Sequence, residues 1–223
     1  IVSQESDIQQ LMDVPCIVED KIQVQTEIAI IAARNQNGEI SCYDAVLMEF
    51  VDGANMLDFL QYPYRSNEHI IQQAKEIASS LIDKLSICGL LAVEFFVDVN
   101  NQLFINEVAP RPHNSGHQTI ESSETSQYEQ HLRGILNLPL GSVDVKIPSV
   151  MVNLLGADGY TGFVEYKNIE ICMATAGVHV HIYGKKMTKP FRKMGHVTVT
   201  NSNIEEAKKI AIWVKQNLQV QSL

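Results

Sequence analysis

Two acidic residues on a predicted β-hairpin are the first groups in this chain that could do chemistry. Glu94 lies in an apolar run, and Glu107 lies in the run that follows it. A two-residue turn at Asn100-Asn101 would pair Val99 with Gln102 and put the two acids directly opposite each other. Like charges in that position repel, and a carboxylate with apolar neighbours needs an opposite charge or a metal ion.

The predicted surroundings of this acid pair are apolar. Period-two counting puts four apolar residues on its face of the hairpin: Ala92, Phe96, Leu103 and Ile105. Oxygen ligands favour Mg²⁺, which commonly shares its coordination shell with waters and substrate phosphates. Spacing alone leaves open the alternative of two solvated acids, and a one-residue slip in register would separate them.

The segment after the hairpin carries the most specific motif. Residues 106–117 read Asn-Glu-Val-Ala-Pro-Arg-Pro-His-Asn-Ser-Gly-His. This run resembles the signature Asn-Glu-x-Ala-Pro-Arg-x-His-Asn-Ser-Gly-His of the N5-carboxyaminoimidazole ribonucleotide synthetases, a family of ATP-grasp enzymes in bacterial purine synthesis. The resemblance covers most of the chain, is weak near residues 44–66, and continues in order through segments 93–97, 138–141, 148–156 and 192–197.

Composition predicts a cytoplasmic globular protein. The chain has 223 residues, of which 45% are hydrophobic, and this is enough to bury a substantial core. No apolar run approaches the ~20 residues of a membrane span, and the formal charge of −9 argues against a general nucleic-acid surface. The cysteines are widely separated and form no metal or redox motif: Cys16, Cys42, Cys88 and Cys172.

The expected fold class is α+β. The resemblance implies the C-terminal lobe of an ATP-grasp domain, an antiparallel sheet with helices, over residues 1–142, and a small β-rich domain over residues 143–223. The family's N-terminal domain and first ATP-grasp lobe, with a phosphate-binding lysine and a glycine-rich lid, are expected to be absent from this chain. We therefore expect a C-terminal piece whose isolated form is inactive.

Sequence patterns predict the individual elements. A helical stripe predicts a helix over 67–87 with Ser66 or Asn67 as N-cap, and capping-box spacings start further helices at Ser126 and Ser202. Alternation and a turn at Asn37-Gly38 predict a hairpin of strands 25–34 and 39–47. Further short strands are predicted at 16–18, 150–155, 169–174, 178–183 and 196–200.

The resemblance implies a nucleotide and metal site. Glu19 and Ile22 would lie on the linker strand that reads adenine and ribose, and Glu27 would lie on the ribose side. On chemistry alone, residues 19–21 are equally well a surface turn. Glu94 and Glu107 map to the paired Mg²⁺ ligands beside the ATP phosphates. Asn106 is a further nucleotide-site candidate, although strand alternation would point it away from the acids.

The residues after the acids suit an anionic acceptor. Two prolines restrict the backbone around Arg111, so its guanidinium can be held toward an anion. In distantly related biotin-carboxylase-like enzymes an Arg, a Gln and a Glu handle bicarbonate at this place; here the Arg is retained. His113 is the candidate to position or deprotonate bicarbonate, with Asn114 beside it. A purely structural histidine is the alternative.

A basic segment completes the candidate site. Residues 185–193 carry five cations in nine residues of an otherwise acidic chain. The resemblance implies that a lysine and an arginine here hold the 5′-phosphate of a ribonucleotide, and Lys186 and Arg192 match best, followed by Lys193. A solvated basic loop is the alternative. The histidines at 131, 179, 181 and 196 lack zinc-site spacing and are interpreted as structural.

Taken together, the resemblance implies an ATP- and bicarbonate-dependent ligase. It would form carboxyphosphate and transfer the carboxyl group to 5-aminoimidazole ribonucleotide, with ATP and Mg²⁺ but no biotin, as a homodimer that binds neither membrane nor nucleic acid. One alternative is another ATP-grasp carboxylase or ribonucleotide ligase. The other is a non-catalytic binding or dimerisation piece.

Overall fold

A long antiparallel sheet organises the chain. The computed structural model describes residues 2, 5–10, 14–50 and 57–223. Within these residues the strands are β1 Val24–Arg34, β2 Ile40–Cys42, β3 Val46–Phe50, β4 Leu57–Tyr62, β5 Gly89–Asp98, β6 Leu103–Ala109, β7 Ser149–Leu155, β8 Gly162–Lys167, β9 Val178–Ile182, β10 Met187–Thr188, β11 Lys193–Thr200 and β12 Gln219–Ser222. The helices are α1 Glu68–Lys84, α2 Thr119–Ser122, α3 Gln127–Ile135, α4 Ile169–Met173 and α5 Ile204–Asn217, and short 3₁₀ turns cover Glu5–Gln10 and Asn114–Gly116.

The main sheet has the strand order β6-β5-β1-β3-β4-β7-β11-β9, with β2 paired to β1. Its central strands read as continuous apolar runs because both of their faces are covered. Pairing slips by one residue at several places, including β1, β4, β6 and the start of β11. Such bulges bend a strand and increase its twist. A second, three-stranded sheet has the order β10-β8-β12.

Helix α1 covers one face of the first half of the sheet. Its stripe residues Ile70, Ala74 and Ile82 pack against β1 and β5 in one core cluster. The second half has its own cluster, in which α5 packs on β7 and β11 through Ala207, Ala211 and Val214. On the face of β1 and β5 opposite α1, a further apolar cluster contains Ile31, Leu90 and Ala92, and by alternation the same face carries Glu94. None of the helices in the described residues is both long and apolar enough to cross a membrane.

Several predicted elements are confirmed. Strand β1 and helices α1 and α3 lie within a few residues of their expected bounds. Asn67 caps α1 by accepting a hydrogen bond from the backbone N–H of Ile70, and Ser126 caps α3 by accepting one from Glu129. The predicted strands near 150–155, 178–183 and 196–200 correspond to β7, β9 and β11.

Other predicted elements are wrong for local reasons. Residues 16–18 form no strand, and the expected strand 39–47 breaks into β2 and β3 around Tyr43, whose buried hydroxyl donates to the carbonyl of Thr125. The stretch 169–174 forms helix α4, because Asn168 adopts a left-handed conformation that ends β8. Helix α5 is capped by Asn203, one residue after the expected Ser202. Strands β8 and β12 were not anticipated.

The expected division at residues 142 and 143 falls between α3 and β7. The main sheet continues on both sides of it, because β4 pairs with β7 from Phe59 opposite Val152 to Tyr62 opposite Ser149. The division into two domains stays a prediction.

Candidate active site

Three neighbouring strands bring three carboxylates to one cavity. Glu107 on β6 lies opposite Glu94 on β5, and Glu94 in turn lies opposite Ala29 on β1. Glu27 is two residues from Ala29 and therefore shares its face of the sheet. All three carboxylates line a cavity of about 450 Å³ on the face opposite α1. The predicted pairing of the two acids is confirmed.

The hairpin reaches this pairing by a different route from the one expected. Val97 lies opposite Leu103, and the N–H of Asp98 donates to the carbonyl of Gln102 at 3.0 Å, so three residues, 99–101, and not two form the loop. Asn101 takes a left-handed φ of 60°. Asp98 stabilises this loop, because its carboxylate accepts hydrogen bonds of 2.8 Å from the backbone N–H groups of both Asn100 and Gln102. The one-residue shift is then cancelled by a bulge in β6 before Glu107.

The bulge corrects two expectations about neighbouring residues. Asn106 occupies it and lines the same cavity as the acids, so the expectation that it points away from them was wrong. Leu103 packs into the α1-side core, and Ile105 lies opposite Phe95, so neither belongs to the apolar surroundings of the acids. Phe96 does line the cavity, as expected.

The two facing acids have different environments. The side chain of Glu94 is 16% exposed, whereas that of Glu107 is 57% exposed. Burial, followed by repulsion from Glu107 and Glu27, raises the pKa of Glu94 to about 7, against a smaller opposing effect of Lys193. Burial also raises the pKa of Glu27. A bound cation would relieve this repulsion.

His113 lies against both facing acids. Its Nδ1 is 3.6 Å from Oε1 of Glu94 and its Nε2 is 3.9 Å from Oε1 of Glu107. Nδ1 also lies 2.9 Å from the hydroxyl of Ser115. Burial is the largest cause of a lowered His113 pKa, with Arg111 and Lys193 acting in the same direction and Glu107 against them. The imidazole is therefore predominantly neutral at pH 7.

The loop after β6 supplies polar groups next to His113. Arg111 and Asn114 both line the cavity, as predicted. The Nη1 group of Arg111 donates to the carbonyl of Pro112 at 3.1 Å. The buried Oδ1 of Asn114 has no hydrogen-bond partner among the described residues, so this amide has capacity left for a ligand or water.

The basic segment contributes less to the cavity than expected. Lys193 lines it, but Lys186 and Arg192 are not among its lining residues. The Nη1 group of Arg192 donates to the carbonyl of Met187 at 2.9 Å, and Nζ of Lys185 donates to the carbonyl of Lys193 at 2.6 Å. Part of this positive charge is thus used to stabilise the segment itself.

The predicted adenine-side residues lie elsewhere. Glu19 is exposed and Ile22 half-buried, both in the irregular segment before β1, and neither lines the cavity. Residues that sequence reasoning missed are Met48, Phe50, Leu57, Ser115, Asn153, Leu155 and Phe191. Period-two alternation would have put Met48 and Phe50 on one face of β3, although only its pairing with β1 shows which face.

The donor set fits a magnesium ion shared with a ligand. Glu94 and Glu107 offer carboxylate oxygens, which Mg²⁺ prefers. In the part of the chain that the structure describes, no group of three or more His, Cys, Asp or Glu side chains could hold a metal by itself. A site with two acids suits an ion whose remaining ligands are waters and phosphate oxygens.

Family models match both parts of the chain. Residues 1–128 match the ATP-grasp domain, and residues 149–210 match the phosphoribosylaminoimidazole carboxylase C-terminal domain. The first match covers more than half of the chain, which therefore belongs to the ATP-grasp family. An antiparallel sheet with helices followed by a small C-terminal domain confirms the predicted fold class.

Within this family, the chain is similar to enzymes of one named type. The chain is 42% identical to the N5-carboxyaminoimidazole ribonucleotide synthase of Bacillus subtilis over 183 residues, which are 82% of this chain and 46% of the relative. The crystal structure of N5-carboxyaminoimidazole ribonucleotide synthetase from Thermotoga maritima matches with a TM-score of 0.92 and 42% identity over 99% of this chain and 59% of that one.

A fungal structure shows what one such relative binds. The N5-carboxyaminoimidazole synthase of Aspergillus clavatus, in complex with ADP and 5-aminoimidazole ribonucleotide, matches with a TM-score of 0.80 and 29% identity over 95% of this chain and 57% of that one. The chain spans about half the length of the relatives it matches.

Proposed function

We propose that the full-length protein containing this chain is an ATP-grasp ligase that carboxylates 5-aminoimidazole ribonucleotide with bicarbonate. One observation carries this proposal: the facing acids Glu94 and Glu107 share a cavity with Arg111, His113 and Asn114. Two acids that could ligate a metal ion thus lie next to a guanidinium, an imidazole and an amide that could bind an anion. The names of the relatives supply the particular substrates.

The acidic side of the cavity would hold ATP and Mg²⁺. Glu94 and Glu107 would ligate the ion, which when bound neutralises charge on the phosphates. Glu27 and Asn106 would contact the nucleotide beside them. Glu19 and Ile22, outside the cavity, stay predictions that rest on the resemblance alone.

The chemistry would proceed in two transfers. A bicarbonate oxygen attacks the γ-phosphorus of ATP and the bond to the bridging oxygen of ADP breaks, giving carboxyphosphate. The amine nitrogen of the ribonucleotide then attacks the carboxyl carbon, phosphate leaves, and the nitrogen loses a proton. Arg111 would orient the anionic bicarbonate by charge-assisted hydrogen bonds. His113, kept neutral at pH 7 by its lowered pKa, would accept the proton that bicarbonate loses as carboxyphosphate forms.

The ribonucleotide phosphate requires a cation. Lys193 is the strongest candidate because it lines the cavity, and Lys186 and Arg192 remain candidates from the resemblance.

We also propose that the protein is a cytoplasmic homodimer and needs no biotin. A light-scattering mass equal to one full-length chain at micromolar concentration would contradict the dimer.

The test is bicarbonate-dependent release of ADP by the full-length protein. Release is expected with 5-aminoimidazole ribonucleotide as acceptor, and not with biotin or glycine. Release with either of those acceptors alone would favour another ATP-grasp carboxylase or ligase. Absence of release with all three would favour a non-catalytic binding piece. Omission of Mg²⁺ is expected to abolish the reaction.

A further inference from the structure

The structure assigns Gln127, outside the cavity lining, the role of positioning His113. The amide of this glutamine binds both main-chain polar groups of that histidine. Its Oε1 accepts a hydrogen bond of 2.9 Å from the His113 N–H, and its Nε2 donates one of 2.8 Å to the His113 carbonyl. A single side chain thus fixes the peptide groups on both sides of the histidine Cα.

Gln127 is itself rigidly held. It is fully buried at the first position of α3. Its backbone N–H donates to Oγ1 of Thr119 at 2.8 Å, and this hydroxyl donates to the carbonyl of Gly116 at 2.6 Å. A Cβ atom at residue 116 would come within 2.5 Å of Oε1 of Gln127, so only glycine there leaves room for the amide. The His113 loop and the start of α3 interlock.

This interlock determines where the imidazole of His113 lies. A side chain whose main chain is fixed on both sides retains only its own torsions, and Ser115 restricts these further through the contact with Nδ1. The ring is thereby held against Glu94 and Glu107. Misplacement of a reacting group by about 1 Å can lower the rate about 100-fold. Loss of the hydrogen bonds from Gln127 to His113 should therefore lower the reaction rate.

Helix α3 provides a matched control. Gln130, also fully buried, binds a main chain in the same two-bond manner: its Nε2 donates to the carbonyl of Gly141 and its Oε1 accepts from the Gly141 N–H, both at 2.8 Å. Neither Gln130 nor Gly141 lines the cavity. Removing either amide therefore breaks two bonds to a main chain, but only Gln127 holds His113, whose carbonyl also accepts from the N–H of Gly116 at 3.0 Å. Nε2 of Gln127 lies in addition 3.2 Å from Nδ1 of His117.

The experiment compares Gln127→Met with Gln130→Met in the full-length protein. Both variants should lower the melting temperature by several degrees, because each removes two hydrogen bonds from partly buried backbone groups. Well below melting, Gln127→Met should lower kcat/KM for bicarbonate by about 10- to 100-fold. Gln130→Met should stay within about twofold of the parent. Equal kinetic effects of the two variants would overturn the assignment.

A second readout does not depend on the reaction, since the kinetic arm rests on the proposed function. The ¹⁵N signals of the His113 imidazole, compared at one fixed pH, should move in Gln127→Met and stay in place in Gln130→Met. Coincident His113 signals in all three proteins would overturn the positioning role even if the parent proved inactive as a carboxylase. A parent without bicarbonate-dependent turnover, but with displaced His113 signals in Gln127→Met, would overturn only the proposed function.

If Gln127→Met does not fold, Gln127→Glu takes its place. The carboxylate keeps the acceptor for the His113 N–H but loses the donor to its carbonyl, and protonation of the buried acid restores that donor. Activity relative to the parent should therefore recover as pH falls. A relative activity that is independent of pH would count against the assignment.

Discussion

The carboxylates of the cavity stand inside strands, whereas its lysine stands at the junction of a loop and a strand. Glu27, Glu94 and Glu107 lie on adjacent strands whose backbone hydrogen bonds fix which face each side chain occupies. Lys193 opens β11, and the segment before it is held by bonds within itself. The position of an acid along its strand thus predicts whether it lines the cavity. The position of a cation within the basic segment 185–193 does not.

The largest expected effect removes the better buried acid. Glu94→Gln in the full-length protein should lower turnover by about 1,000-fold, because it deletes a charge that balances the metal and the moving phosphoryl group. ADP release at saturating substrates measures this. Glu165→Gln, a half-buried strand position paired with Lys167 and outside the cavity, serves as control. Turnover of Glu94→Gln within threefold of the parent would exclude a metal role for this acid.

The same acid should make stability depend on pH when no metal is bound. The folded-state pKa of Glu94, about 7, lies above its ordinary value of 4.5. Its contribution is therefore fully present below about pH 4.5 and lost as pH rises through about 7, for a total of roughly 3 kcal/mol. Glu94→Gln should thus be more stable than the parent at pH 8, and this gain should shrink toward pH 5.

Urea unfolding of metal-free protein at several pH values tests this. The difference between variant and parent is the quantity to follow, since half-buried His117 and buried His196, with pKa values lowered to about 4 and about 3, change the stability of both proteins in acid. Glu107→Gln should give a smaller difference, because that side chain is mostly exposed. An equal effect of the two substitutions would mean that the difference in burial between Glu94 and Glu107 has no consequence for stability.

The basic side can be tested by comparing its cations. Lys193→Met should raise the KM for the ribonucleotide by about 10-fold, the loss of one charged hydrogen bond. Lys186→Met and Arg192→Met should change it by less than about threefold, because neither side chain lines the cavity. Steady-state kinetics with varied ribonucleotide distinguish them. A larger effect at residue 186 or 192 would favour the family-based assignment over the geometry.

The smallest expected effect concerns the hairpin loop. Asn101→Ala should destabilise the protein by about 1 kcal/mol, because alanine tolerates the left-handed conformation poorly, whereas Asn101→Gly should be nearly neutral. Urea unfolding midpoints measure both. Equal stability of the alanine variant and the parent would mean that the three-residue loop is not what fixes the hairpin.

The hairpin illustrates how far the sequence could lead. Counting from a two-residue turn predicted Glu94 opposite Glu107 correctly, although the turn was wrong, because the longer loop and the bulge at Asn106 cancel. Asp98 favours the three-residue loop through its bonds to Asn100 and Gln102. The residue types around the turn are only a weak signal for that loop length. The bulge depends on the partner strand, so alternation within β6 could not reveal it.

Residues away from the strands were harder to predict. Arg111, His113 and Asn114 line the cavity. Their place in the site was predicted because the motif resembles that of a known family, and the spacing of the residues alone did not require it. Gln127 looked like an ordinary first-turn residue of a capped helix, and its contacts with His113 bridge 14 residues of sequence. Such contacts depend on the packing of α3 against the sheet, which no local pattern encodes.

The slips in strand pairing have a consequence for the shape of the sheet. Five strand spacings separate β5 from β11, about 24 Å on a flat surface. Glu94 and Lys193 nevertheless line one cavity, and the lysine influences the acid electrostatically. The sheet must therefore curl like a trough, and bulges in β6 and at the start of β11 supply bends beside the two residues. The curvature of the backbone thus sets the distance between the acidic and the basic side of the cavity. It thereby limits how far apart the oppositely charged groups of a bound ligand can lie.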